Sequence, residues 1–357
     1  MRKVRGIVFV MMDLLAVGLA AAHNINPLQN KYGQDSGMPL GRVAEPVHEE
    51  ITQLARACMQ AHPGPVHTPL ICADDTERSI EPRGNKYDSL VRGVWWNDDP
   101  NQLLFALRQG RFLSWMHDAR LIATTGRNWQ GKPAAIGSDY YLTYRSHYGD
   151  LQFLHAMASG DGEPAATTRH RALLWAEFAY LVATGRLDPE TKMDRISPVE
   201  LRDYFEEQSG WTINFLFAYH YQLKGDAHKR MMAAGSLLHM VQDSYSAAHA
   251  QRFFEPTAEC PNGGIVQFHS YTCQDPSAHK REDLRSAWLQ RGFTPTQDPV
   301  NVSATLLGYI RQDADWNIVR DYLEGTVFCL AEDARNASPG DYAMAAESVR
   351  LPAKCKH

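Results

Sequence analysis

Gly235-Ser-Leu-Leu-His239-Met-Val-Gln-Asp243-Ser-Tyr-Ser-Ala-Ala-His249-Ala-Gln-Arg252 is the stretch that decides how the chain is read. Its apolar residues recur with helical spacing, and they belong to a longer helical pattern over Asp226 to Phe253. On a helix His239 and Asp243 project from one face, one turn apart, which is how two side chains reach a single metal ion. His249 does not share that face: it lies ~240° around from Asp243 and ~9 Å further along the axis. It therefore needs either a helix break or a second metal, and a second metal is the more economical account.

The rest of the chain repeats the helical period. Val47 to Gln60, Asn101 to Trp115, Arg169 to Gly185 and Trp211 to Leu223 read as helices. So do Pro276 to Leu289, Ser303 to Ile310, Trp316 to Arg335 and Asp341 to Val349. Strand-like alternation is scarce, and turn residues gather at Asn30 to Gly41, Thr124 to Gly137 and Glu255 to Gly264. With 44% hydrophobic and 22% charged residues in 357, the chain can bury a sizeable core. The expectation is an all-α fold, one multi-helix domain with long loops.

The first residues carry a separate message. A basic Met1 to Arg5, an apolar stretch from Gly6 to Gly18 interrupted by Asp13, and Ala20-Ala21-Ala22 read as a secretory signal over 1–22, with the mature domain at 23–357. The protein is expected outside the cytoplasm, extracellular or periplasmic. No other segment approaches the ~18 apolar residues of a membrane span. A net charge of −5 argues against general affinity for nucleic-acid phosphates, so phosphate chemistry needs a local source of positive charge.

Six cysteines in an oxidising compartment predict three disulfides. Loop-closure cost favours the near-neighbour pairs Cys58/Cys72, Cys260/Cys273 and Cys329/Cys355. Ligation of zinc by these cysteines has no Cys-x2-Cys spacing behind it.

Downstream, Asp275-Pro276 is a helix start, and His279 and Asp283 repeat the spacing of His239 and Asp243. One such pair is commonly only a contact on a solvated helix face. Two of them around a third histidine point to metal ligation.

The spacing of His239, Asp243 and His249 resembles the central signature of the zinc-dependent phospholipase C and single-strand nuclease superfamily, closer to the bacterial zinc metallophospholipases C. The family's Gln-Pro before the second His is replaced here by Ala247-Ala248. Gly93-Val-Trp-Trp-Asn-Asp98 and Ser146-His147-Tyr148-Gly-Asp150 resemble two further family segments, and Pro46-Val-His48 stands where the family has its first internal His ligand. The likeness runs from about His48 to Asp283, and the last 70 residues carry no matching motif. The resemblance implies a helical domain of the zinc phospholipase C type holding two or three zinc ions. One would take Asp98, His147, His239 and Asp243; a second His249, His279 and Asp283; a third His48, Asp243 and the mature amino terminus. Cleavage after Ala22 exposes His23 there, whose amine and imidazole can chelate together.

Some positions have competitors. Asp99 adjoins Asp98, and His269 lies in a segment that also looks like the family's third-His segment, although Cys273 stands where an acid is needed. His117 and His155 have no counterpart and read as partly buried, hydrogen-bonded histidines, while His170, His220 and His228 read as surface or packing residues.

Clustered zinc ions would supply the missing positive charge, polarise a phosphodiester and lower the pKa of bound water from 15.7 to roughly 7. Asp98 is the expected general base or orienter, by family likeness. The leading expectation is a phospholipase C that acts on phosphatidylcholine-like lipid at a membrane surface, with Trp95, Trp96, Tyr140, Tyr141, Tyr148 and Phe268 as candidate contacts for acyl chains or a cationic headgroup. A single-strand nuclease or 3'-nucleotidase on the same scaffold is the alternative. Asp rather than Glu at position 283 leans that way, but no stable nucleic-acid partner is expected. A third reading, a secreted protein whose zincs only stabilise it, fits poorly with a three-ligand second site, since structural zinc usually has four ligands and favours Cys.

Overall fold

The computed structural model describes residues 45–72, 88–102, 109–136, 142–218, 225–345 and 355. The signal segment, His23, the Asn30–Gly41 turn, Tyr140, Tyr141 and His220 lie outside the described residues, as do parts of three expected helices.

The helices are α1 (Val47–Ala61), α2 (Ser89–Trp96), α3 (Gln109–Thr125), α4 (Leu142–Tyr148), α5 (Ala165–Thr184), α6 (Ile213–Ala218) and α7 (Asp226–Asp243). They continue with α8 (Pro276–Glu282), α9 (Arg285–Gln290), α10 (Pro299–Arg311) and α11 (Trp316–Tyr322). Every residue of α7 from Met232 to Asp243 is buried, as befits a helix enclosed on all sides. It packs against α2, α5 and α10, and α10 packs in turn on α1.

The α2–α7 crossing is a backbone-to-backbone approach. A Cβ on Gly93 would sit 2.1 Å from Met232 O, and one on Gly235 would sit 2.1 Å from Leu90 O. Only hydrogen fits at both places, so the two backbones touch and bring the end of α2 alongside His239. Asn97 locks that contact by donating to Leu154 O (2.6 Å) and Ser236 O (3.2 Å) while accepting from Ser236 Oγ (2.6 Å). Trp175 of α5 also donates to Ser236 Oγ, at 3.1 Å. One buried polar knot thus ties α2, α5, α7 and the 3-10 turn Gln152–His155 together.

The fold is mostly helical but not all-α. Strands β1 (Ala250–Phe253), β2 (Gly264–His269) and β3 (Leu330–Ser338) form a small sheet in that order, β1 antiparallel and β3 parallel to β2. The expected helix from Asp226 to Phe253 ends at Asp243, and a turn leads into β1. Arg252 fixes that end: its buried guanidinium donates to Ser244 O (2.6 Å), Ser244 Oγ (2.8 Å), Gln297 Oε1 (2.9 Å) and Val327 O (2.6 Å). The expected helix from Trp316 to Arg335 likewise stops at Tyr322, passes through a single wide turn and becomes β3. The segment read as one helix from Pro276 to Leu289 breaks at Asp283–Leu284, and the helix expected to end at Trp115 continues to Thr125, its described part being α3.

Three disulfides form: Cys58–Cys72 as expected, but Cys260–Cys329 and Cys273–Cys355 in place of the two other neighbour pairs. Pairing of β2 with β3 explains the first exchange, since Ile265 N donates to Cys329 O at 2.7 Å. Met344 N donates to Cys273 O at 3.0 Å and draws the C-terminal segment to its partner. Each doubling of loop length costs only ~0.6 kcal/mol, so the longer loops cost about 1–1.5 kcal/mol each, which strand pairing outweighs. Among the described residues no helix is long and apolar enough to cross a membrane.

Candidate metal centre

Separate elements converge on one buried region. His48 comes from the first turn of α1, Asp98 from just beyond α2, His147 from α4, and His239 and Asp243 from the last turns of α7. His249 directly precedes β1, whereas His279 and Asp283 come from α8 and its end. Asp275 caps α8 by accepting from Ser277 N (2.7 Å) and Ala278 N (3.0 Å), with Pro276 in the first turn, so this His-Asp pair does stand on a helix. All eight are at most 6% exposed.

Ligand atoms within 4.8 Å of one another form four sets: His48/Asp98/His239, Asp98/His147/His155, His155/His239/Asp243 and His249/His279/Asp283. The first three share members and merge into one large centre; the fourth stands beside it. The structure thus brings together eight of the nine expected ligands, and the ninth, His23, is outside the described residues. Asp98 rather than Asp99, and His279 rather than His269, belong to these sets. The helix break that the sequence reading set aside is present, since α7 ends at Asp243, and His249 lies beyond it beside His279 and Asp283.

His155 is the residue that sequence reasoning missed. It is 3% exposed, its Nδ1 lies 2.8 Å from Asp243 Oδ2 and 3.0 Å from His239 Nε2, and its Nε2 is buried without a hydrogen-bond partner. The signal available was a histidine inside the apolar run Phe153 to Met157, eight residues after His147. His117 is exposed rather than partly buried as expected, whereas His170, exposed, and His228, which bonds Ser89 Oγ at the surface, fall as read. Asp150 turns outward to a bidentate pair with Arg145 (2.8 and 2.7 Å) and takes no part in the centre.

Hydrogen bonds fix the proton positions on five of these rings. His239 Nδ1 donates to Val94 O (2.6 Å), His147 Nδ1 to Thr143 O (2.9 Å) and His249 Nδ1 to His155 O (2.7 Å). His48 Nδ1 and His279 Nδ1 donate to the amide oxygens of Gln242 and Gln274, both at 2.6 Å. The Gln274 amide cannot be flipped, because its Nε2 donates to two carbonyls, Ala248 O (2.8 Å) and Pro339 O (3.0 Å). Gln242 Nε2 donates to the hydroxyls of Thr52 (3.0 Å) and Ser303 (3.3 Å). With every Nδ1 protonated, each Nε2 presents a lone pair inward, the tautomer that second-sphere acceptors enforce in metal sites.

Such an interior is unfavourable unless a cation fills it. His249 Nε2 and His279 Nε2 face each other at 3.2 Å, lone pair to lone pair. Both oxygens of Asp98, His147 Nε2, Asp243 Oδ1 and Asp283 Oδ2 are buried without hydrogen bonds, although Asp98 Oδ1 is 3.6 Å from His147 Nε2 and Asp283 Oδ2 is 3.3 Å from His279 Nε2. Burial pushes the Asp243 and Asp283 carboxyls well above the usual carboxylate range, with Asp243 raising Asp283 further. Burial drives His239 down to about 4 and His279 down to about 3, so both stay neutral at physiological pH. Neutral imidazoles and buried carboxylates that suffer without a counter-charge are the donor set of a borderline divalent cation. A cavity of about 10 Å³ between His147, His155, His249, His279, Met157 and Tyr271 leaves room for one water-sized species beside the ligands.

A pH dependence follows. A cation entering the centre displaces protons held on the raised carboxyls, so binding releases protons and tightens as pH rises. Titration calorimetry with zinc in buffers of different ionisation enthalpy reads that release directly; heat that does not vary with the buffer contradicts it.

The four named aromatics among the described residues are buried and present no substrate surface. Trp95, Trp96 and Phe268 are at most 2% exposed and Tyr148 is 8% exposed; the indole nitrogens bond Glu49 Oε1 and Leu216 O. Comparison with protein-family models, with curated proteins and with solved structures finds no match to this chain.

Proposed function

We propose that the chain is a secreted zinc-dependent phosphodiester hydrolase of the phospholipase C type, cleaving the glycerol-side phosphodiester of phosphatidylcholine-like lipids. The observation that carries this reading is the inward set of Nε2 lone pairs, locked by outward Nδ1 hydrogen bonds around buried carboxylates. In sequence these residues follow the spacing of the superfamily they resemble. Three disulfides suit an exported protein.

Bound zinc would supply Lewis-acid charge against the phosphodiester and make a water acidic enough to attack near neutral pH. The chain's own contribution is orientation and proton handling. His48, His147, His239, His249 and His279 are held rigidly by their Nδ1 bonds, so little reorganisation is needed as charge develops. Asp98 keeps both carboxylate oxygens without hydrogen bonds at the centre's wall, where one can take a proton from the attacking water. His155, hydrogen-bonded to Asp243, fixes which carboxylate oxygen faces the ligands. The lipid assignment draws on Trp129, 69% exposed between Arg127 and Lys132 on the loop after α3, since an exposed indole beside cations suits a headgroup layer.

Zinc-loaded protein assayed on phosphatidylcholine vesicles and on single-stranded DNA tests the proposal. The expected result is diacylglycerol release that chelator abolishes, with little DNA cleavage. DNA turnover without lipid turnover would replace the lipid reading by the nuclease one, and activity on neither substrate would reject the hydrolase.

A further inference from the structure

β1, β2, the end of β3 and the turn after it line a pocket of about 420 Å³. Arg252, Arg291 and Arg335 line it, and Asp341 is its one carboxylate. None of the three guanidinium groups makes an ion pair among the described residues. Arg252 is spent on neutral acceptors, and Arg335 donates to the Gln251 amide oxygen. Arg291 Nη1 is buried with no hydrogen-bond partner at all. Tyr342 and His269 stand at the wall with ring centroids 5.8 Å apart.

Three cations against one lining carboxylate, with Glu282 the further anion acting on Arg291 and Tyr342, leave this pocket a surplus of positive charge, and a buried guanidinium nitrogen without an acceptor is a costly arrangement. A phosphate monoester carries about −1.5 to −2 near neutral pH and offers three acceptor oxygens, matching that surplus better than a single carboxylate does. Arginine forks suit it geometrically. The volume falls in the roughly 300–1,000 Å³ span of small-molecule pockets, more than a bare phosphate ion needs.

We propose that this pocket is a second site, apart from the metal centre, that binds the phosphate group of a phosphorylated small molecule through Arg291 and Arg335, with Tyr342 as a further donor. The two sites share a wall. Gln274 Nε2 bonds Pro339 O at the pocket's turn, and its amide oxygen orients His279. Ala248 O, which also accepts from Gln274, accepts from His269 Nδ1 at 3.2 Å.

The test is binding of inorganic phosphate and of glycerol 3-phosphate to the full chain, measured by calorimetry on the wild type and on Arg335→Gln, Arg291→Gln and Asp283→Asn. Arg335 is on the partly exposed strand β3, so its variant carries little folding risk. Both arginine variants are expected to lose at least tenfold in affinity for glycerol 3-phosphate, whereas Asp283→Asn, at a residue of the metal centre that does not line the pocket, keeps it. Tighter binding of the monoester than of inorganic phosphate marks a phosphorylated metabolite as the ligand, and the reverse order marks free phosphate. The proposal is overturned if the wild type binds neither, if Arg335→Gln binds as tightly as wild type, or if Asp283→Asn alone removes binding. This outcome is independent of hydrolase activity, so the site can fail or stand without the reading of the metal centre.

Discussion

Asp243→Asn is expected to lower phosphodiesterase activity by about three orders of magnitude, equivalent to about 4 kcal/mol of lost transition-state stabilisation. Among the described residues no other carboxylate is so placed: Oδ1 lies 3.1 Å from His48 Nε2, while Oδ2 lies 2.8 Å from His155 Nδ1 and 3.0 Å from His239 Nε2. It is 0% exposed, so no solvent charge can substitute for it. Asparagine keeps the shape but replaces one anionic oxygen by an NH2 that points donors at lone pairs, which opposes cation binding. Bound zinc should fall with activity. Asp118→Asn is the control, because Asp118 only accepts from Trp129 N (2.9 Å) and Tyr144 OH (3.1 Å) near the surface. Activity and zinc content measured together on both variants check this; equal losses in the two would contradict the role given to Asp243.

The second large effect belongs to a residue with no chemistry of its own. Gly235→Ala places a methyl carbon 2.1 Å from Leu90 O and 2.6 Å from Val94 N, both backbone atoms that cannot rotate away. The helices must separate, at a cost of about 3 kcal/mol or more, and separation pulls Val94 O away from His239 Nδ1. Denaturant unfolding should show the lost stability, and metal analysis should show reduced zinc in the fraction that folds. Gly160→Ala, where nothing lies within 4 Å of the added carbon, should stay within about 0.5 kcal/mol of wild type. A wild-type midpoint for Gly235→Ala would mean that the α2–α7 contact does not set the centre's geometry.

These two residues show why parts of the molecule were legible in the sequence. The ligand set could be read because His-x3-Asp spacing is itself a statement about one helix face, true for His239/Asp243 and, through the Asp275-Pro276 start, for His279/Asp283. Helix starts marked by a capping Asp and Pro were equally readable. The sheet was not, because β1 and β3 are short continuations of helical patterns and are fixed by pairing with residues far away in sequence. Helix periodicity runs through Asp243 into Ala250 without a glycine or proline to stop it; the stop comes from Arg252 and the distant Val327 carbonyl. The two disulfides that differ from expectation follow from the same pairing. His155 escaped because its partner, Asp243, is 88 residues away and no local spacing records that contact.

Metal content is the most direct test of the account. Protein purified without exposure to chelator, at known concentration, should hold two or three zinc ions per chain, filling the merged centre around Asp243 and the neighbouring site of His249, His279 and Asp283. Less than one bound ion per chain would contradict it.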